Sequence, residues 1–389
     1  MAFGLAKPEQ SPFMITSARE ALALWFGTRL VMIMITVVGV GAWAKGEGFD
    51  FLDRWRSWDA ELFITIARFG YDGEPGRPPD PGLPAFFPGM PLMLRLVSSV
   101  VPDWSLSGLL ISLVAGAVAM VALARLAESE GPPGAGWRSV FALLVCPTAV
   151  FLFAGYSEAL FLAFAVPAWL AARQRRWMWA GLLGAGASCV RITGLFLALA
   201  LIVEFCTGGR AHPDRPVRQA AWLAVPFVPL VAYSVYQYTR TGDWLAWNRA
   251  QEAGWGRHLV WPWESFLTTW NAAMRDETFA WVFRLELAAA IVGVALVVWL
   301  LAKRRWSELT YVGLQVGALL VSSYYLSIPR TALLWWPLWI AVGQACTRRP
   351  GDPGRLNRLR PWLLVGYVLL ITPLSVLNTL AFLKGTWAG

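Results

Sequence analysis

Charge is scarce in this chain. Only 15% of its 389 residues are Asp, Glu, Lys or Arg, against 57% hydrophobic. The mean hydropathy of +0.52 argues against an ordinary soluble domain and places the chain among integral membrane proteins. Cysteine is rarer still. Cys146, Cys189, Cys206 and Cys346 lie in or at the ends of apolar runs without CxxC spacing, which reads as small buried hydrophobes rather than disulfides or metal ligands. His212 and His258 are too few for a histidine-based metal centre. Neither GxxxxGK[ST] nor a strand-borne GxGxxG occurs, so nucleotide phosphates have no cradle of the usual kinds. The net charge of +9 does not call for nucleic acid, because basic residues collect in the cytoplasmic loops of membrane proteins.

What the chain has is apolar length. Runs bounded by charge or turn residues extend over Leu22 to Trp43, Leu106 to Leu126, Val140 to Phe153, Ala159 to Ala172, Trp177 to Phe205, Ala220 to Tyr238, Val282 to Ala302, Leu309 to Leu326, Ala332 to Ala345 and Trp362 to Leu383. The first is too long for a signal-peptide core and no small-residue cleavage site follows it, so it reads as a retained membrane helix. Several others fall short of the ~20 residues of a perpendicular span, as half-helices around a cavity do.

Lys and Arg gather at Lys7 and Arg19, at Arg173, Arg175 and Arg176, at Arg210, Arg215 and Arg218, at Lys303 to Arg305, and from Arg348 to Arg360. Placing all of these in the cytoplasm requires the Trp177 to Phe205 run to enter and return, breaking near Arg191, Ile192, Thr193 and Gly194. The alternative is one long tilted helix through Arg191. The expected architecture is an all-α polytopic membrane protein, a single domain over 1–389, with about eleven membrane helices or half-helices, amino terminus inside and carboxyl terminus outside. An extracytoplasmic first loop (45–105) carrying amphipathic helices, a second (239–281), the 155–158 turn, the Arg191 break and the 327–330 turn then share one surface. No repeat relates the two halves, which argues against an inverted-repeat transporter.

The first loop is dense in chemistry: RWRSWDAELFITIARFGY runs on to AFFPGMP. Ser57 to Phe69 reads as an amphipathic helix with Trp58, Leu62, Thr65, Ile66 and Phe69 on a face suited to the membrane interface. Asp59 and Glu61 in its first turn either complement the helix dipole behind a Ser57 or Asp53 cap, or place a partly desolvated base between Trp55 and Trp58. LPAFFPGMP cannot form a regular helix because Pro84, Pro88 and Pro91 interrupt it. It is either a packing strut or, through Phe86, Phe87 and Pro88, a guide for an apolar chain. Glu158, after Gly155, Tyr156 and Ser157, caps the next helix or joins a site. Arg191 deep in an apolar run demands an acid or a polar cavity, with Asp59 and Glu158 as partners. Together with Arg257, beside His258, and Arg330, it offers the forked donors that bind phosphate. The loop acids Asp53, Glu61, Asp72, Glu74 and Asp80 are a conceivable divalent-metal set, although the scheme below requires no metal or other cofactor.

These segments, with CPTAVFLFAGYSEALF, RITGLF, TGDWLAWNRAQEAGWGR and SIPRTALLWWP, resemble in order and spacing the PIG-V mannosyltransferases, which add the second mannose in GPI-anchor assembly, and their bacterial relatives. The resemblance runs from about Phe51 to Pro337 and implies a GT-C-like bundle with an essential acid in its first extracytoplasmic loop. It implies a polyprenyl-phosphate-mannose donor and a glycolipid or glycan acceptor in the lipid bilayer. It also implies Asp59 as general base of an inverting transfer, with Glu158, Arg191, Arg257 and Arg330 at the site and Trp58, Tyr156 and His258 beside it. The expected setting is the outer face of a bacterial plasma membrane, or the endoplasmic reticulum membrane in a eukaryote. Two other readings stand beside this one: a secondary transporter or lipid flippase built on an intramembrane Arg191 and Glu158 pair, and a non-catalytic scaffold.

Overall fold

A computed structural model describes residues 12–40, 50–78, 80–208, 217–275 and 279–386. Lys7, Trp43, Arg210 and Arg215, and the first residues of the 45–105 loop, lie outside the described residues. The chain begins with α1 (Pro12–Ile35), followed by the first loop's α2 (Asp59–Phe69) and α3 (Gly89–Ser98). Next come α4 (Trp104–Glu130), α5 (Ala135–Leu144), α6 (Ser157–Arg173), α7 (Trp177–Val190) and α8 (Thr193–Thr207). The second half holds α9 (Phe227–Thr241), α10 (Ala246–Trp255), α11 (Pro262–Met274), α12 (Ala280–Ala302) and α13 (Trp306–Leu320). It closes with α14 (Ile328–Thr331), α15 (Trp336–Ala345) and α16 (Arg355–Leu383).

Among the described residues five helices are long and apolar enough to cross a membrane: Thr16–Gly39, Trp104–Glu130, Arg218–Thr241, Ala280–Ala302 and Arg355–Leu383. Of these, Trp104–Glu130 is the most enclosed, 61% buried inside the protein against 22–28% for the others. It is therefore the central post, and the others turn their apolar faces outward as lipid-facing helices do.

The run from Trp177 to Phe205 breaks as expected. Arg191 is extended (φ −150°, ψ 150°), and α8 folds back along α7. The return is tight: a Cβ on Gly194 would lie 2.3 Å from Ser188 Cα, and one on Gly184 would lie 3.3 Å from a methyl of Leu201. In a continuous helix residues 184 and 201 would stand about 25 Å apart, so the hairpin is unambiguous. Its two ends meet where Arg173, at the end of α6, donates to Glu204 of α8 at 3.0 Å. Arg173 also pairs with Glu130 at 3.2 Å, and Arg305 joins Glu130 and Glu308 at 2.6 Å each. The basic ends of α6 and α12 and the end of α8, through Glu204, are thus tied to the end of α4 at one pole. Gln344 of α15 reaches the Glu130 carbonyl at 3.1 Å, and Arg360 of α16 reaches Ala345 at 3.0 Å, bringing two more ends there.

The first loop departs from the sequence expectation. Helix α2 buries Ala60, Phe63, Ile64, Ile66 and Ala67; apart from Ile66 these belong to the main core, so its apolar face meets protein rather than the membrane interface. Its N-cap is Trp58, with no side-chain cap from Ser57 or Asp53. LPAFFPGMP is not helix-free either: after a 3₁₀ turn at Leu83–Ala85, α3 starts at Gly89 with Pro91 in its first turn. Proline is tolerated there because first-turn N–H groups have no intrahelical partner. Gly89 is required by contact, since a Cβ would stand 2.8 Å from the Cys189 carbonyl oxygen. The first loop is thereby seated on the α7–α8 break.

Candidate active site

At the pole opposite the basic ends lies a cavity of about 540 Å³. Its charged lining is Asp59 against Arg191, Arg257 and Arg330, with His258 at the rim. Asp59 opens α2, and the preceding residue, Trp58, holds φ 57° and ψ −124°. Such a backbone typically costs about 1–3 kcal/mol in a non-glycine residue and recurs at functional sites. Arg330 Nη1 donates to Asp59 Oδ2 at 2.7 Å, and its Nε stands 3.4 Å from Glu158 Oε1. Its guanidinium carbon is 5.5 Å from the ring centroids of both Phe151 and Tyr156. Burial opposes the charge on Arg330, but Asp59 and Glu158 outweigh it and hold the guanidinium above its ordinary pKa.

Glu158 is fully buried behind the cavity and joins the two arginines. Arg191 Nη1 donates to its Oε1 at 2.8 Å and to Ser157 Oγ at 2.7 Å. The N-cap of α6 is Tyr156 without a side-chain bond, so neither Ser157 nor Glu158 caps the helix. Glu158 instead occupies the first turn, where the helix dipole also favours an anion. Tyr156 stands behind the lining and donates to the Ser57 carbonyl at 3.1 Å, tying the two motifs together. Burial first, then the charge of Asp59, raises its phenol well above the ordinary value and keeps it protonated.

Arg257 arrives from far along the chain. The Ser323 N–H donates to the His258 carbonyl at 3.0 Å and the Val260 N–H to the Val321 carbonyl at 2.9 Å, stitching this segment to the one before α14. Its Nη2 donates to the Leu326 carbonyl, and it forms no ion pair among the described residues. Burial and the neighbouring Arg330 lower its pKa. An arginine without a carboxylate partner at a cavity wall suits an incoming anion.

The turn that carries Arg330 is itself clamped. Buried Glu286 of α12 accepts from the backbone N–H of Ser327 at 2.6 Å and of Ile328 at 2.8 Å. Thr148 Oγ1 donates to the Pro329 carbonyl at 2.9 Å, while Ser327 holds φ 62°. Glu286 was not singled out from the sequence. The available signal was an acid inside the Val282 to Ala302 run, where an ionisable residue needs a reason.

Of the other expected residues, Phe86 and Phe87 line the cavity. Pro88 does not; it is the N-cap of α3. Trp58 is 44% exposed and outside the lining, because its backbone turns it away from the pocket that Asp59 enters. His258 lines the rim. The loop acids are dispersed. Glu61 pairs with Arg56, Glu74 with Arg77 and Asp72 with Arg240, while Asp80 accepts from Gly82 N–H. Among the described residues no three His, Cys, Asp or Glu side chains come together as a metal set.

Fold and site together define an all-helical membrane protein with an acid and arginine pocket at one pole. The family model described as mannosyltransferase (PIG-V) matches residues 49–209, a stretch that holds Asp59, Glu158 and Arg191. Arg257 and Arg330 lie beyond it. The GPI alpha-1,6-mannosyltransferase 2 of Cricetulus griseus is 35% identical over 163 residues, 39% of this chain and 31% of that protein's length. The apo Archaeoglobus fulgidus oligosaccharyltransferase is 12% identical with a TM-score of 0.46, covering 94% of this chain and 56% of that one. For the archaeal oligosaccharyltransferase AglB of the same organism, solved with an inhibitory peptide and a dolichol-phosphate, the values are 10%, 0.41, 94% and 56%.

Proposed function

We propose that the chain is a membrane mannosyltransferase that moves a mannosyl group from a polyprenyl-phosphate-mannose donor to a hydroxyl of a lipid-linked or glycan acceptor, at the extracytoplasmic face. The observation that carries this reading is the Asp59 and Arg330 pair in the wall of a cavity whose other charges are Arg191 and Arg257. The donor phosphate lies among the guanidiniums. Drawn toward it, Arg330 loosens its hold on Asp59, whose carboxylate takes the proton of the acceptor hydroxyl. The oxygen attacks C1 of the mannose, the bond from C1 to the phosphate oxygen breaks, and polyprenyl phosphate departs with that electron pair, stabilised by the arginines. One displacement inverts the anomeric centre. Placing the basic pole in the cytoplasm puts this cavity outside, where a lipid-borne donor reaches it and a nucleotide sugar does not.

The test is single-turnover transfer from radiolabelled polyprenyl-phosphate-mannose by purified protein at matched folded fraction. Asp59→Asn is expected to lose ~100-fold to ~10,000-fold in rate while Glu61→Gln, paired with Arg56 instead, stays active. Wild-type turnover by Asp59→Asn, or a dead Glu61→Gln, overturns the assignment.

A further inference from the structure

The wall formed by α10 takes no part in the chemistry above, yet it enters the cavity with four side chains. Trp247, Asn248, Gln251 and Trp255 all line it. At 100° per residue they fall within about a quarter-turn of the helix, forming one stripe. The rings are fixed: Trp247 Nε1 donates to the Ala85 carbonyl at 3.0 Å, and Trp255 packs edge-on against Phe86 with centroids 5.5 Å apart. The amides are not fixed. Neither Asn248 nor Gln251 makes a side-chain hydrogen bond among the described residues. The stripe is also uncharged, because Arg249 turns away to Asp243 at 2.7 Å and does not line the cavity.

Free amides between held indole rings suit a neutral polyol with an apolar face. A hexose offers hydroxyls to amide donors and acceptors, and a C–H face to an aromatic ring. We infer that α10 is the sugar subsite of the acceptor: Asn248 and Gln251 bind hydroxyls of its hexose, and the indoles of Trp247 and Trp255 carry its C–H face. The occupant is assigned to the acceptor because Asn248 is exposed at the mouth, whereas the arginines that would hold the donor phosphate are set deeper, the Arg330 side chain being 16% exposed. The acceptor assignment rests on the transferase reading; the affinity for a neutral hexose does not.

The test uses the full chain in lipid nanodiscs, methyl α-D-mannopyranoside as probe, and saturation-transfer NMR titration with and without polyprenyl-phosphate-mannose. Wild type and Asp59→Asn are expected to bind the probe, and to keep it when the lipid donor is present. The Asn248→Ala/Gln251→Ala pair is expected to bind roughly tenfold more weakly, the loss expected for two neutral hydrogen bonds. Arg249→Ala is expected to bind as wild type. Gln251→Glu, which keeps the size and removes the amide donors, is expected to weaken binding and covers the case in which the double variant does not fold. Undiminished binding by both α10 variants, or no binding by wild type, overturns the subsite. Displacement of the probe by the donor overturns the acceptor assignment. Failure of the transferase reading shows separately, as no mannosyl transfer by wild type in the single-turnover assay.

Discussion

Arg330 spans two acids through different nitrogens, Nη1 toward Asp59 and Nε toward Glu158. A lysine ammonium is one point at the end of a flexible stem and cannot hold both directions at once. Arg330→Lys is therefore expected to fold but to lose roughly 100-fold or more in single-turnover rate, the usual scale for removing a preorganised donor from a developing anion. A fully active lysine variant would show that position 330 supplies charge alone. Arg191 differs because one nitrogen, Nη1, serves both Ser157 and Glu158. Arg191→Ala leaves buried Glu158 only the longer 3.4 Å contact with Arg330, so the loss is expected to stay below the about 3–5 kcal/mol of a buried pair broken outright. It should appear as a lower unfolding temperature as well as lost activity, with Arg191→Lys recovering part of both. Unchanged stability in Arg191→Ala would mean that Arg330 alone suffices for Glu158.

Two elements present these residues, and each has one point of failure. The turn before α14 depends on Glu286, whose carboxylate satisfies two buried N–H groups. Removing it leaves each at a cost of about 1–3 kcal/mol. Glu286→Ala is expected to lower both thermal stability and transfer kcat, and Glu286→Gln, which retains one accepting oxygen, to restore part of each. Activity lost equally in both variants at full stability would instead put Glu286 in the chemistry. The α7–α8 hairpin depends on Gly194, where an added methyl meets Ser188 Cα at 2.3 Å. That contact involves backbone and cannot swing aside. Gly194→Ala is therefore expected to destabilise by about 1–3 kcal/mol, read as a shifted unfolding midpoint. A neutral alanine would contradict the tight return.

At the scale of the molecule, the two poles are built differently. One carries the ion network of Glu130, Arg173, Glu204, Arg305 and Glu308; the other carries the cavity. In a Cys206→Ser background, Gln174→Cys beside the network is expected to be shielded from an impermeant thiol reagent applied outside, and Glu252→Cys on α10 to be labelled. The reverse pattern would place the cavity in the cytoplasm and remove the lipid-donor argument. The Asp59 to Arg330 pair joins positions 271 residues apart, so the site exists only when both halves of the chain are packed.

Much is legible in the amino-acid sequence alone. Membrane character follows from composition, because apolar length has no other satisfactory solvent. The return at Arg191 follows from charge, because basic ends favour one side of the bilayer. Candidate residues are visible at some of the charges that stand in or between apolar runs, as at Asp59, Glu158, Arg191 and Arg330. Partner choice was not legible: Glu158 behind two arginines, Glu286 under the α14 turn and the α10 stripe each arise from helices distant in sequence. Trp58 shows the same limit in a single residue. Helical periodicity assigned it to an interfacial face, but its positive φ turns it out of the helix and lets only its neighbour Asp59 enter the pocket. Periodicity records which residues avoid water within one element; which element covers them, and which charge meets which, is decided by packing between elements.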